Sequence, residues 1–384
     1  MLRKMLRSLM EGNTKDVTNA KVAQISGICD ATLSNFFNYK NELTISSWLL
    51  TIRSLAPERE DELVGILADE MIATENRLNC RLLMEYASTR RNFEMLSKLI
   101  ESQSKAPKEN KDWAEVYEMS LRYQTRQVNN EDLLFNSLTV FKPKFNETAV
   151  FAMLLKANVF YMLQMYKPMF NVIKAIEKGI AGIKNPYIKE SYTARLSELL
   201  AKSYLYAKND VKKARFYANS VINSKFLCPK FTSHMYHLLG TSFLFESYDE
   251  SVGYFQRYYD ILKEQNRDDL AEQTKKLDIF FAKVLWGQNV NVSETDDSLE
   301  KLHYYARNEM TDEFNRIYTI DLQEDPFALC YLGILNNSPE SLLTSIAKFI
   351  EKGNKFFAEL PRKEIAKYPL FTFSADVMCA INIA

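Results

Sequence analysis

The sequence predicts an all-α protein: an N-terminal helix-turn-helix followed by a degenerate tetratricopeptide-like superhelix. Three observations carry that expectation. Apolar residues recur at helical spacing along nearly all of the 384 residues, and no segment alternates as a half-buried strand does. Glycine and proline contribute only 10 residues each, too few for a fold rich in tight turns or for a glycine-rich phosphate loop. Tyrosine and phenylalanine are abundant, at 21 and 24, as expected where paired helices interlock through large side chains.

The elements follow in order. Leu2, Met5, Leu6 and Leu9 give a first short helix, stopped by Gly12-Asn13. A second helix is expected near Asn19–Ser26, a third near Asp30–Asn38 and a fourth near Ile45–Leu55. Ala56-Pro57 and the charged run Glu58–Glu62 then mark a domain edge, because proline disfavours helix in the residue before it. The division expected is residues 1–56 and residues 57–384.

Beyond the edge, helices of roughly 12–18 residues alternate with short turns. The turns fall at Lys105–Lys108, Asn129-Asn130, Lys142-Pro143, Asn185-Pro186, Lys208–Asp210 and Asn336–Pro339. Antiparallel pairs can be drawn as Ser191–Tyr206 with Val211–Asn223, Thr232–Phe245 with Ser251–Lys263, and Phe327–Leu335 with Glu340–Lys352. Each first helix carries a small residue after an apolar one: Leu200-Ala201, Leu239-Gly240 and Leu332-Gly333. A small residue lets two helix backbones approach, and a large residue of the second helix fills the groove. This is the tetratricopeptide design, with units longer and less regular than its ~34-residue period. An irregular helical bundle is the alternative.

The most specific local signal lies in residues 21–38. Ala23 supplies the small residue where two helices cross, and Gly27, four residues later, can enter the left-handed turn conformation. Ile28, Leu33 and Phe36 point inward against Val22 and Ile25, and Asp30 favours the dipole of the second helix. That leaves Ala31, Thr32, Ser34, Asn35 and Asn38 outward on a recognition helix. Asparagine pairs bidentately with adenine, and serine or threonine reaches a base edge or phosphate. Lys21 and Lys40 are placed for phosphate contact. Cys29 stands where such motifs usually carry a serine or threonine cap. A plain helical hairpin is the competing reading.

Composition narrows the rest. Net charge is zero, so nucleic-acid affinity must come from a local patch; residues 1–56 carry seven basic and four acidic side chains. The five cysteines are scattered without a C-x-x-C pair, which fits a reducing cytoplasm better than a disulfide framework. The start, MLRKMLRSLM, lacks the continuous apolar core of a signal peptide. The longest apolar tract, Val150–Tyr166, is interrupted by Lys156, Asn158 and Gln164, so no membrane span is expected. His234 and His237 stand three apart on one helix face and His303 is remote, without the further ligands that a metal site needs. No P-loop, dinucleotide fingerprint or nucleophile elbow occurs, so neither a cofactor nor a catalytic residue is assigned.

A helix-turn-helix before such a superhelix resembles the RRNPP group of peptide-sensing regulators, and within it the AimR-type arbitrium receptors of SPbeta-like Bacillus phages. The residues carrying the similarity are Ala56–Leu63, Tyr192, Arg195, Gly240–Tyr248, Trp286, Lys355-Phe356 and Leu360-Pro361. The resemblance implies a dimeric transcription factor on double-stranded DNA. It also implies a short phage-encoded peptide in the concave groove that changes DNA occupancy and switches lysis against lysogeny. Leu244, Phe281 and Phe356 fall at the family's apolar groove positions. Where the family grips the peptide with asparagine or arginine, this chain has Lys230, Thr241, Gln323 and Asn354, with Lys202-Ser203 near the first asparagine. Those departures imply a different peptide, or none.

The family also dimerises through its C-terminal region. Here residues 368–384 carry one charged side chain, Asp376, among Leu370, Phe371, Phe373, Val377, Met378, Ile381 and Ile383. A terminus this apolar calls for a cover, which is either a second copy of the chain or the last repeat of its own chain. A Rap-like adaptor or a structural scaffold would share the helical repeats but bind protein rather than DNA.

Overall fold

The computed structural model describes residues 3–5, 7–8, 22–24 and 28–380, with the side chain of Lys230 excepted. Leu2, Leu6, Leu9, Gly12, Lys21, Ile25, Gly27, Ile381 and Ile383, together with most of the helix expected near 19–26, lie outside the described residues. Among the described residues every regular element is helical.

The helix expected to read DNA spans Asp30–Phe37. Cys29 precedes it without a side-chain cap, leaving Asp30 as the only acidic residue in the first turn. Asn38, expected as its last residue, is instead the C-cap, because Tyr39 turns into the left-handed region at φ 61° and ends the helix. The next helix, Ile45–Leu55, keeps the expected limits; Thr44 caps it by accepting the Ser47 amide at 3.3 Å. Val22, Ala23, Leu33, Phe36, Ile45, Trp48, Leu49 and Ile52 are buried, and Trp48 meets Phe36 edge-on at 4.8 Å. Phe37 is buried beside them and was not foreseen as an inward residue.

The chain divides into two compact units. The first comprises residues 1–159, 172–194 and 224–228. Its one-turn helix Pro57–Arg59 leads straight into Glu60–Ala73, so the expected edge at Ala56-Pro57 is a tight corner rather than a linker. Helices Arg77–Arg90, Phe93–Ser104 and Lys108–Gln124 follow. Their core includes a column of stacked rings: Trp113 on Tyr117 at 5.5 Å, Tyr117 on Phe151 at 4.3 Å, and Phe151 on Tyr192 at 5.5 Å. The buried Glu85 carboxylate accepts hydroxyl hydrogen bonds from Tyr117 at 2.7 Å and from Ser191.

The second unit comprises residues 160–171, 195–223 and 229–384. Its pairs are close to those expected: Pro186–Tyr206, whose C-terminal part lies in this unit, with Val211–Ile222; His234–Phe243 with Tyr248–Glu264; and Pro326–Leu335 with Pro339–Glu351. The small residues act as foreseen. A Cβ on Gly240 would sit 2.6 Å from the Phe255 ring, and one on Gly333 would sit 2.9 Å from the Leu342 side chain. Turns at Asn209 and Asn337 use the left-handed conformation that asparagine tolerates, at φ 52° and 49°. The last described helix, Pro369–Ala380, turns Ala375 inward and packs Phe371 and Met378 against the core.

Candidate functional site

On helix Asp30–Phe37 Ala31 and Asn35 are exposed, and Thr32 and Ser34 are half-buried on its flank. Asn38 and Lys40 are exposed just past its end, and the Asn38 amide donates to Ser34 Oγ at 3.5 Å. The helix therefore offers a small polar face with its apolar face turned inward, the form needed to enter a groove. The sequence did not point to Tyr39, which is 65% exposed at the helix end, with the Arg3 guanidinium 4.4 Å above its ring. Arg3 also pairs with Glu42, so one of the seven basic side chains of the head is neutralised locally.

The second unit holds a ladder of polar side chains carried by successive helices. At its first rung Glu198 Oε1 lies 2.6 Å from Lys202 Nζ and 2.8 Å from His234 Nε2. Burial would raise the Glu198 carboxyl, but the charges and hydrogen bonds of Lys202 and His234 outweigh it and hold the group well below the usual carboxylate range. One turn along, His237 Nε2 meets Asp278 Oδ1 at 3.0 Å. Burial would lower this imidazole and Lys202 repels it, yet the charge and hydrogen bond of Asp278 raise it above its ordinary value.

Further along the ladder the groups are left incomplete. Glu300 Oε2 is enclosed without a hydrogen-bond partner, and burial together with the charges of Asp297 and Asp278 pushes its carboxyl well above the usual range. His303, fully buried, has no partner on either ring nitrogen; it lies flat on Tyr331 at 4.6 Å, and the Tyr331 hydroxyl is unpartnered too. Burial first, and Arg307 second, hold the His303 imidazole neutral. Each buried polar group left without a partner costs about 1–3 kcal/mol, so such a cluster is unusual unless something completes it.

The groove residues expected from the resemblance fall unevenly around this ladder. Lys202 belongs to it through Glu198. Thr241 donates to the His237 carbonyl at 3.1 Å and Ser203 to the Leu199 carbonyl at 2.7 Å, so both hydroxyls are turned back onto their own helices. Leu244, Phe281 and Phe356 are buried in the core cluster beneath; Phe281 touches the ladder through the His303 ring at 4.9 Å. Asn354 accepts the Phe357 amide at 3.2 Å, and Gln323 is exposed on a separate one-turn helix end. Lys230 lies in the one-turn helix Pro229–Thr232, and its side chain is outside the described residues. The sequence did not reveal Glu198, Asp278, Glu300 or Tyr331. Their only signal was His234 and His237 sharing one helix face, because the acidic partners lie far off in the chain.

No helix among the described residues is long and apolar enough to cross a membrane, and none of their His, Cys, Asp and Glu side chains group as a metal site. A helical head before helical repeats with a polar ladder fits the class of peptide-responsive transcriptional regulators. A family model described as AimR transcriptional regulator-like matches residues 66–367, and the chain belongs to that family. An uncharacterized protein of Bacillus anthracis is 23% identical over 233 residues, covering 57% of this chain and 84% of that protein. The solved structure of SeMet-phAimR superposes with a TM-score of 0.77 at 19% identity, covering 99% of this chain and all of the other. A structure of phAimR-Ligand gives 0.65 at 19% identity over 85% of this chain and 98% of that one.

Proposed function

We propose that this protein binds promoter DNA as a homodimer in the cytoplasm of a bacterial host, and that a short communication peptide changes its DNA occupancy and thereby the choice between lysis and lysogeny. The observation that carries the peptide reading is the run of enclosed, unpartnered polar atoms on Glu300, His303 and Tyr331, beside the paired charges of Glu198, Lys202, His237 and Asp278. A peptide backbone and its termini bring the donors and acceptors that such a ladder lacks. Leu244, Phe281 and Phe356 pack the layer on which the polar groups stand; Lys230, Gln323 and Asn354 remain the expected outer contacts, and Ser203 and Thr241 belong to the buried wall behind them.

DNA is read by Asn35 and Asn38, flanked by Ala31, Thr32 and Ser34, with Lys21 and Lys40 on phosphates. The dimer forms through the C-terminal helix. Leu370 and Phe373 are 92% and 78% exposed on it, and Val377 continues the same face one turn on.

Calorimetry with synthetic peptides encoded by the reading frame beside the gene tests the ladder. Asp278→Asn and Lys202→Ala should each weaken binding about tenfold, the equivalent of ~1.4 kcal/mol. Affinity unchanged in both would remove the ladder from the site. Gel shifts with promoter fragments test the head: Asn35→Ala with Asn38→Ala should erode sequence preference, whereas Lys40→Ala should weaken binding to all fragments alike.

A further inference from the structure

Helix Ile45–Leu55 follows the recognition helix and ends on a side chain used in an unusual way. Arg53 donates through Nε and Nη2 to the two carboxylate oxygens of Glu60, at 3.0 and 2.9 Å. The same guanidinium reaches backbone far away in sequence, giving Nη1 to the Lys225 carbonyl at 2.9 Å and Nη2 to the Phe226 carbonyl at 3.0 Å. Glu60 is also bonded by Arg90 and by the Tyr86 hydroxyl at 3.2 Å. Burial would raise the Glu60 carboxyl, but Arg53 and Arg90 more than offset it, so the carboxylate stays charged and holds Arg53 in one orientation.

The segment that receives Arg53 is a short strap, residues 224–228. On its other side Glu190 Oε1 accepts from Ser224 Oγ at 2.6 Å, from the Phe226 amide at 3.0 Å, and from the Lys225 amide. Phe226 sets its ring edge-on to the buried Tyr187 at 5.7 Å, and Leu227 and Cys228 are buried. Glu190 and Tyr187 stand on helix Pro186–Tyr206, which also carries Glu198 and Lys202. The strap runs directly into Pro229–Thr232 and then into His234–Phe243, which carries His234 and His237.

We infer that the strap at residues 224–228 is the coupling element of the regulator, with Arg53 as the positioning residue that ties the DNA-reading head to the two helices bearing the first rungs of the polar ladder. Both helices that hold the Glu198–His234 pair meet the strap, one through Glu190 and the other by chain continuity. A shift of either helix on ligand binding changes where the two carbonyls lie, and Arg53 passes that change to the end of helix Ile45–Leu55. An arginine fork suits this task, since it fixes direction as well as distance. The meaning of the coupling rests on the function proposed above. Its test needs neither peptide nor DNA, so the two can fail separately.

The experiment is hydrogen exchange of the full-length protein, read by mass spectrometry. Glu190→Gln touches nothing in residues 28–60 and leaves the Arg53–Glu60 pair intact. It should speed exchange in residues 224–228 and also, by about threefold or more, at the C-terminal end of Ile45–Leu55. Faster exchange confined to the strap would overturn the inference, and so would an unchanged strap. A double-mutant cycle with Arg53→Gln supplies the second reading. Arg53 and Glu190 make no direct contact, yet their effects on Ile45–Leu55 should overlap, the double variant exceeding the larger single effect by little. Fold-changes that simply multiply would mean that the two residues act independently, and Arg53 would then be only a local brace.

Discussion

Replacing Gly240 by alanine tests how the second unit is built. Gly240 lies inside helix His234–Phe243, where alanine alone would stabilise by about 1 kcal/mol. The added Cβ would stand 2.6, 2.7 and 2.9 Å from three atoms of the Phe255 ring, itself fully buried on the partner helix. Carbon atoms rest at about 3.5–4.0 Å, so the ring must retreat by roughly 1 Å into a packed core. Overpacking of that kind costs about 1–3 kcal/mol, and the clash with a rigid ring belongs at the upper end. The net loss expected is about 1–2 kcal/mol, or roughly 2–8 °C in melting temperature for a unit of this size.

Gly65→Ala is the internal control. Gly65 lies within helix Glu60–Ala73, and its Cβ would meet nothing within 4 Å, so alanine there should stabilise by about 1 kcal/mol. Phe255→Leu in the Gly240→Ala background should recover part of the loss. Thermal unfolding of the four proteins by circular dichroism decides the matter. A Gly240→Ala protein as stable as Gly65→Ala would refute the close approach and, with it, the small-residue logic of the repeat.

Three further outcomes are expected. Because the His237 imidazole is raised by Asp278, the stability from that pair is fully present below the ordinary histidine pKa of ~6.5 and is lost as pH rises through the raised value; melting curves from pH 6 to 9 should show that decline, and Asp278→Asn should flatten it. Phe281→Ala should cost about 3–5 kcal/mol of stability in urea unfolding, because the ring is buried between His303, Phe327 and Phe357; a near-neutral result would mean that Phe281 faces open space. Phe373→Glu, at an exposed site, should leave the helical circular-dichroism signal unchanged and convert the proposed dimer to monomer in light scattering; a dimer that persists would move the interface elsewhere.

Local chemistry made most of the fold legible. The Ala56-Pro57 step closes helix Ile45–Leu55 from within the sequence, and the turn expected at Asn336–Pro339 lies within one residue of the one between Pro326–Leu335 and Pro339–Glu351. Gly240 and Gly333 announced close helix contacts because their only plausible use inside a helix is to admit a neighbour. The second functional region was harder to read. Glu198 with His234, and His237 with Asp278, are pairs made by tertiary packing between helices, and no local spacing links their members. Leu244, Phe281 and Phe356 illustrate the opposite difficulty, since an apolar residue at helical spacing looks the same whether it lines a groove or fills the layer beneath. Helix Asp30–Phe37 ends one residue before the expected Asn38 because the left-handed turn is taken by Tyr39, a residue type that gives no warning of it.

The contact between Trp48 and Phe36 has a practical consequence. Trp48 is one of three tryptophans in the chain; Trp113 lies in the ring column of the first unit, and Trp286 donates its indole hydrogen to the Leu244 carbonyl at 2.8 Å. Of the three, Trp48 is the one that packs on Phe36 of helix Asp30–Phe37, deeply buried and with its indole nitrogen unpartnered. Its emission should therefore be blue-shifted while that helix is docked and should move to the red as soon as water reaches the ring. A variant carrying Trp113→Phe and Trp286→Phe would make the head its own optical gauge, able to time in solution how helix Asp30–Phe37 loosens without any attached dye.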